Sequence, residues 1–151
     1  MSTDTAIHAM VRRCRSGRHP PCVAAVESGW VVLAERQVTA GYCLLLPDPV
    51  AGDLNELPAL RRAAVLRDVA SLGDVLLAVT GAVRINYAIF GNVEPALHLH
   101  VFPRYADELQ RTDNAQPWAL DWTSAPLFGE GRHGELKRRI AAGLAAVRPN
   151  Q

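Results

Sequence analysis

Ile7, Met10, Val11 and Cys14 recur at helical spacing, which predicts a short amphipathic helix over "DTAIHAMVRRCR" that closes near Gly17. The runs "CVAAVE" and "WVVLAER" read as two strands joined by a tight turn at Ser28 and Gly29. A third strand, "YCLLL", ends in the turn chemistry of "PDPVAGD". Beyond it, Leu60, Val65, Val69, Leu72, Leu76 and Val79 form a long apolar stripe with mostly three- and four-residue steps. Pro58 suits the start of that helix and Gly81 its stop. "RINYAIFG" and "LHLHVFPR" follow as two strands joined by "NVEP", and Leu136, Ile140, Leu144 and Val147 mark a final helix.

Strands grouped in this way, instead of alternating one by one with helices, predict an α+β domain with antiparallel pairing. At 151 residues, one domain over 1–151 is expected. The stretch 106–130 is the least regular, and its Trp118 and Trp122 are expected to cover a core edge.

Charge narrows the partners. Sixteen basic residues stand against fifteen acidic ones, for a net charge of +1, and no block of like charge occurs. A nucleic acid or membrane partner is therefore not expected. No apolar stretch is long enough to span a bilayer, and the start "MSTDTAIHAMVRR" lacks the apolar run of a secretory leader. Cys14, Cys22 and Cys43 are odd in number and irregularly spaced, which suits a reducing, cytoplasmic setting.

Candidate chemistry concentrates in "EPALHLHVFPRY", residues 94–105. If 97–103 is a strand, Ala96, His98, His100 and Phe102 share one face and Leu97, Leu99 and Val101 the other. The apolar face belongs to the core, and two imidazoles about 7 Å apart by strand rise project from the opposite one. Three readings stay open: two surface histidines on a solvated edge, two nitrogen ligands of a metal, or a catalytic pair. The metal reading needs a third ligand, which His8, His19 and His133 do not obviously supply, so no metal is expected. Arg104, beside Pro103, reads as a solvated arginine.

The segment "INYAIFGN" followed by "EPALHLHVFPRY" resembles the signature region of the histidine triad (HIT) nucleotide hydrolases and transferases, whose motif alternates three histidines with apolar residues. "WVVLAERQVTAGYCLLLPDPVAGDLNEL" is similar to the family's upstream pattern of strand, glycine turn, strand, proline and helix entry, so the resemblance covers about residues 22–105. It implies a HIT-like α+β fold, a five-stranded antiparallel sheet flanked by helices. It also implies hydrolysis of a purine nucleoside phosphate derivative, such as a dinucleoside polyphosphate like diadenosine tetraphosphate, or a nucleoside phosphoramidate. In this alignment His98 takes the place of the nucleophile, which attacks the α-phosphorus to give a nucleotidyl-histidine. Its ring is implied to be held by the backbone carbonyl of residue 96.

His100 takes the place of the last histidine, which contacts phosphate oxygens, and Ala96 stands where the first would be. Val50 lies about where many members carry a further phosphate-contacting histidine. Asn92 falls on a polar phosphate contact, and Asn86 is a second polar candidate; an ordinary turn asparagine and a structural cap are their plain alternatives. The resemblance further implies a homodimer, no cofactor for the covalent step, and magnesium arriving with the substrate. Cys14 and Cys22 are eight positions apart, unlike the close pair that binds zinc in some members, so no structural zinc is expected. With one histidine absent, a second reading stands beside the hydrolase: a nucleotide-binding or interaction protein with weak or no catalysis.

Overall fold

The computed structural model describes residues 4–111 and 116–147. Helix α1 spans Ala6–Arg15, and strands β1 (Cys22–Val26), β2 (Gly29–Leu33) and β3 (Cys43–Pro47) follow. Helix α2 runs Ala59–Thr80, then β4 (Arg84–Ile89) and β5 (Leu99–Arg104), a short α3 (Ala106–Arg111), a single 3₁₀ turn (Pro117–Ala119) and α4 (Glu130–Ala146). The five strands form one antiparallel sheet in the order β1-β2-β3-β5-β4. The expected α+β class and five-stranded antiparallel sheet are therefore observed.

Both faces of this sheet are covered. Val31, Leu33, Cys43, Leu45, Leu99 and Val101 pack against Val65, Val69, Leu72, Val75 and Leu76 of α2 and Ile140 of α4. On the opposite face Val32 and Leu46 pack against Ile7, Val11 and Cys14 of α1. Burial on two sides is why β2 and β3 read as continuous apolar runs rather than alternating ones.

The helix ends follow their local chemistry. Thr5 caps α1, its hydroxyl accepting from the His8 amide while the Thr5 amide donates to His8 Nδ1. Helix α2 stops at Gly81, whose φ of 74° is the left-handed conformation that a Cβ disfavours. Gly73, in mid-helix, is required by close approach: a Cβ there would stand 1.9 Å from the Tyr87 hydroxyl.

Three expectations are corrected. Leu60 is exposed at 88%, so the buried stripe of α2 begins at Ala64 and Val65, not at Leu60. The last strand begins at Leu99 rather than residue 97, because Leu97 donates its amide to Ala51 in the loop after β3 instead of joining the sheet ladder. Arg104 is not solvated. It is 1% exposed, with Nε donating to Glu108 and Nη1 donating to Asn86 Oδ1 at 2.7 Å, because its position on β5 directs it beneath α3.

Candidate functional site

The site is built on the sheet face that carries α1. Cross-strand register places Leu44 of β3 and Ala88 of β4 on either side of His100. His98 precedes the first regular residue of β5 and is buried at 9% exposure. Its Nδ1 lies 2.7 Å from the Ala96 carbonyl oxygen. A carbonyl only accepts, so this hydrogen bond requires the proton on Nδ1, which in the neutral ring puts the lone pair on Nε2. Turning back to that carbonyl also brings the His98 ring centroid within 4.9 Å of that of His100, closer than ideal strand rise implies.

His100 is held from the other side. Its Nδ1 and the Tyr42 hydroxyl are 2.7 Å apart. Burial, and to a lesser degree the neighbouring His98, lower its pKa to about 4, so it is neutral near pH 7. The phenol is pushed well above its ordinary value by burial and keeps its proton.

Ala96 is more than a missing imidazole. It is 3% exposed and belongs to the apolar cluster of Ile7, Val11, Cys14, Val32 and Leu46, and Val50 packs against the same cluster. Both positions where the resemblance would place extra histidines are thus absorbed into the contact with α1. Glu94 fastens that contact: its carboxylate accepts from the Ala6 amide at the start of α1 and from the Ala96 amide. Nothing in the sequence spacing marks this link.

The two asparagines differ. Asn86 lies opposite Phe102 on β5, and its Oδ1 is engaged by Arg104, so that oxygen serves the strand pair rather than the histidines. Asn92 is exposed in the turn after Gly91, whose φ is 94°. This turn follows Phe90, whose ring centroid lies 6.1 Å from that of His100, so Asn92 is on the loop that borders the pair.

Aromatic side chains frame His100. Tyr42 and Phe102 stack at 4.1 Å, and Trp122 meets both edge-on. Trp122 covers this small core as expected. Trp118 stays 47% exposed against Phe90, with centroids 4.8 Å apart. The chain from 116 to 128 returns over this region, where the amide of Gln37 donates to Pro126 and that of Phe128 donates to Glu35.

A cavity of about 450 Å³ opens between α1, β2 and the start of α4, lined in part by Met10, His19, Val32, Leu44 and Phe128, with Arg13 and Glu35 also at its wall. Leu44, at its wall, is the cross-strand neighbour of His100. Among the described residues no cluster of three or more histidine, cysteine, aspartate or glutamate side chains is arranged to hold a metal. Cys14, Cys22 and Cys43 are free thiols. No described helix is long and apolar enough to cross a membrane.

No protein-family model matches the chain, and neither does any curated protein. Solved structures do. A histidine triad protein from Sinorhizobium meliloti 1021 has a TM-score of 0.70 at 22% identity, with 85% of this chain and 93% of that one covered. A zinc-bound histidine triad family protein from Mycobacterium smegmatis gives 0.66 at 21% identity, covering 93% and 99%. A hypothetical histidine triad nucleotide-binding protein from Sulfolobus tokodaii strain7 gives 0.71 at 12% identity, covering 92% and 93%. With the sheet order and helices described above, these likenesses give the chain the fold of the histidine triad proteins.

Proposed function

We propose that this chain binds a purine nucleoside phosphate derivative and hydrolyses it at the α-phosphorus through His98. The observation that carries the reading is the 2.7 Å contact between His98 Nδ1 and the Ala96 carbonyl, which leaves the Nε2 lone pair as nucleophile. In the first step an Nε2–P bond forms, and the bond from phosphorus to the bridging atom breaks with its electron pair leaving on the departing group. The resulting imidazolium keeps its proton on Nδ1, hydrogen-bonded to the Ala96 oxygen. Water then attacks phosphorus, the Nε2–P bond breaks to return neutral His98, and a proton passes to solvent with release of the nucleoside monophosphate. His100 contacts the phosphate oxygens, and Asn92, on the bordering turn, is a further contact. The nucleoside occupies the cavity beside Leu44, whose mostly apolar wall suits a base.

The covalent step needs no resident cofactor; magnesium enters as the counter-ion of the polyphosphate substrate. Three free thiols fit a cytoplasmic, reducing setting. A homodimer is the expected assembly. Leu66 and Leu77 on α2 and Tyr87 and Ile89 on the edge strand β4 are exposed, and a groove of about 500 Å³ runs between the two elements. A second copy would cover this apolar face and pair the open edge of β4.

The alternative, a nucleotide-binding protein with little turnover, draws on Ala96 and Val50, since apolar packing holds both positions. One experiment separates the readings. Purified protein incubated with diadenosine tetraphosphate or an adenosine phosphoramidate should release AMP, and His98→Ala should abolish the release. Tight binding without AMP release across both substrates would favour the binding protein.

A further inference from the structure

We propose that Tyr42 is a positioning residue that fixes His100 in the tautomer carrying its proton on Nε2, so that His98 and His100 face one phosphoryl group in opposite tautomers. The proposal rests on the reading that a nucleotide phosphate meets this pair.

The Tyr42 ring has little freedom. It lies at the end of the 34–42 connection, which Gln37 organises from within: Nε2 donates to the carbonyls of Ala34 and Tyr42, and Oε1 accepts from the Gly41 amide. Gln37 is 3% exposed and Tyr42 5%. The tyrosine ring is stacked on Phe102 at an interplanar angle of 15° and meets Trp122 at 89°. These contacts direct the hydroxyl to one partner, Nδ1 of His100.

Either atom could formally donate, and chemistry decides between them. A phenol is a good donor and a poor acceptor, whereas an unprotonated imidazole nitrogen is the best neutral acceptor among side chains. If Nδ1 donated instead, the hydroxyl hydrogen would lose its partner in a largely buried setting. The Tyr42 hydroxyl therefore donates to Nδ1, and the His100 proton resides on Nε2. Burial supports this by keeping His100 neutral and Tyr42 protonated at pH 7.

The arrangement has a functional logic. With both rings in the His98 tautomer, two lone pairs would face the phosphate oxygens and repel them. With both in the His100 tautomer, two donors would face the phosphate and no nucleophile would remain. Opposite tautomers give one nucleophile and one donor, set by a backbone carbonyl on one ring and a phenol on the other.

The test reads the tautomer directly. Long-range ¹H–¹⁵N correlation spectra of ¹⁵N-labelled wild-type protein at pH 7 should show His98 as Nδ1–H and His100 as Nε2–H. In Tyr42→Phe, which keeps the stacked ring, His98 should be unchanged while His100 becomes a mixture of tautomers. AMP should bind this variant more weakly, and kcat for AMP release should fall about tenfold with KM changing less, the scale of one hydrogen bond. A wild-type His100 that is Nδ1–H, or one whose tautomer is the same in Tyr42→Phe, overturns the proposal, and the wild-type spectrum decides even if the variant fails to fold. Wild-type protein that shows the opposite tautomers but releases no AMP leaves the Tyr42 assignment standing and removes the hydrolase reading instead.

Discussion

The ring of His98 is oriented by the backbone of Ala96: its Nδ1 lies 2.7 Å from that residue's carbonyl oxygen. Substitution at 96 leaves the carbonyl in place, so the orientation of the His98 imidazole tolerates it. The Cβ of Ala96 is another matter, because it is buried with Ile7, Val11 and Cys14. Ala96→His, which would supply a third imidazole, forces a polar ring into that cluster, at a cost of about 1 to 3 kcal/mol. For a chain of this size a loss of 1 kcal/mol lowers Tm by roughly 2 to 4 °C. The expected outcome is a lower melting temperature with no gain in AMP release. Faster release at an unchanged Tm would show instead that the cluster has room.

His100 gives stability a defined dependence on pH. Its folded-state pKa, about 4, lies below the ordinary 6.5, so between these values the unfolded chain binds more protons than the folded one. Stability is therefore retained above pH 6.5 and declines as pH falls toward 4. Of the rings packed around His100, His98 and Tyr42 are the ionisable ones, and Phe90 and Phe102 are not. Half-buried His19 and buried His133 have values lowered by desolvation and act in the same direction. His100→Gln should flatten, without abolishing, the slope of unfolding free energy against pH in this window, measured by urea titration at each pH. Identical slopes for the two proteins would contradict the burial of a neutral His100.

Arg104 joins β5, β4 and α3 through Glu108 and Asn86 while almost wholly enclosed. Arg104→Met leaves Glu108 as a charge without its guanidinium and should cost about 3 to 5 kcal/mol. Adding Glu108→Leu should recover part of that loss, since an apolar pair removes the carboxylate that faced the guanidinium. Urea denaturation of the single and double variants reads both effects. A double variant no more stable than Arg104→Met would mean that the arginine contributes through packing rather than charge.

How far the chain declares itself depends on the range of each interaction. The α2 stop at Gly81 and the first three strands follow from local spacing, and so does the pairing of His98 with His100 on one face. Tyr42 lies 58 positions from His100, and only the β3–β5 register brings them together. Glu94 reaches 88 positions back to Ala6, and Gln37 works by enclosing its own loop. None of these has a periodic signature, so none was legible before the fold. Arg104 was misread for the same reason: its burial depends on α3 closing over β5, which the proline beside it does not reveal.

The outward face of α2 and β4 makes a prediction about assembly. Leu66, Gly73 and Leu77 follow helical spacing along α2, and Gly73 admits Tyr87 from β4, so the two elements present a continuous apolar surface. Ile89→Lys and Leu66→Glu each place a charge on it. Wild-type protein is expected to sediment as a dimer and either variant as a monomer of unchanged secondary structure. A wild-type monomer at all concentrations would assign the surface to another partner.

The leaving group offers the sharpest check on the chemistry. In the proposed site a neutral His100 would donate a hydrogen bond to phosphate but is a poor acid, and no third imidazole stands at Ala96 to replace it. A polyphosphate departs as a stabilised oxyanion and needs no proton. An amine leaving from a phosphoramidate must gain one, and a missing general acid typically costs about 10²–10⁴ in rate. Diadenosine tetraphosphate should therefore be cleaved with the higher kcat/KM, by about a hundredfold or more on that scale. The gap should widen as pH rises, because solvent supplies fewer protons to the departing amine. Comparable kcat/KM values for the two substrates at pH 8 would mean that a proton donor acts in the site, and that His100 is charged when the substrate is bound.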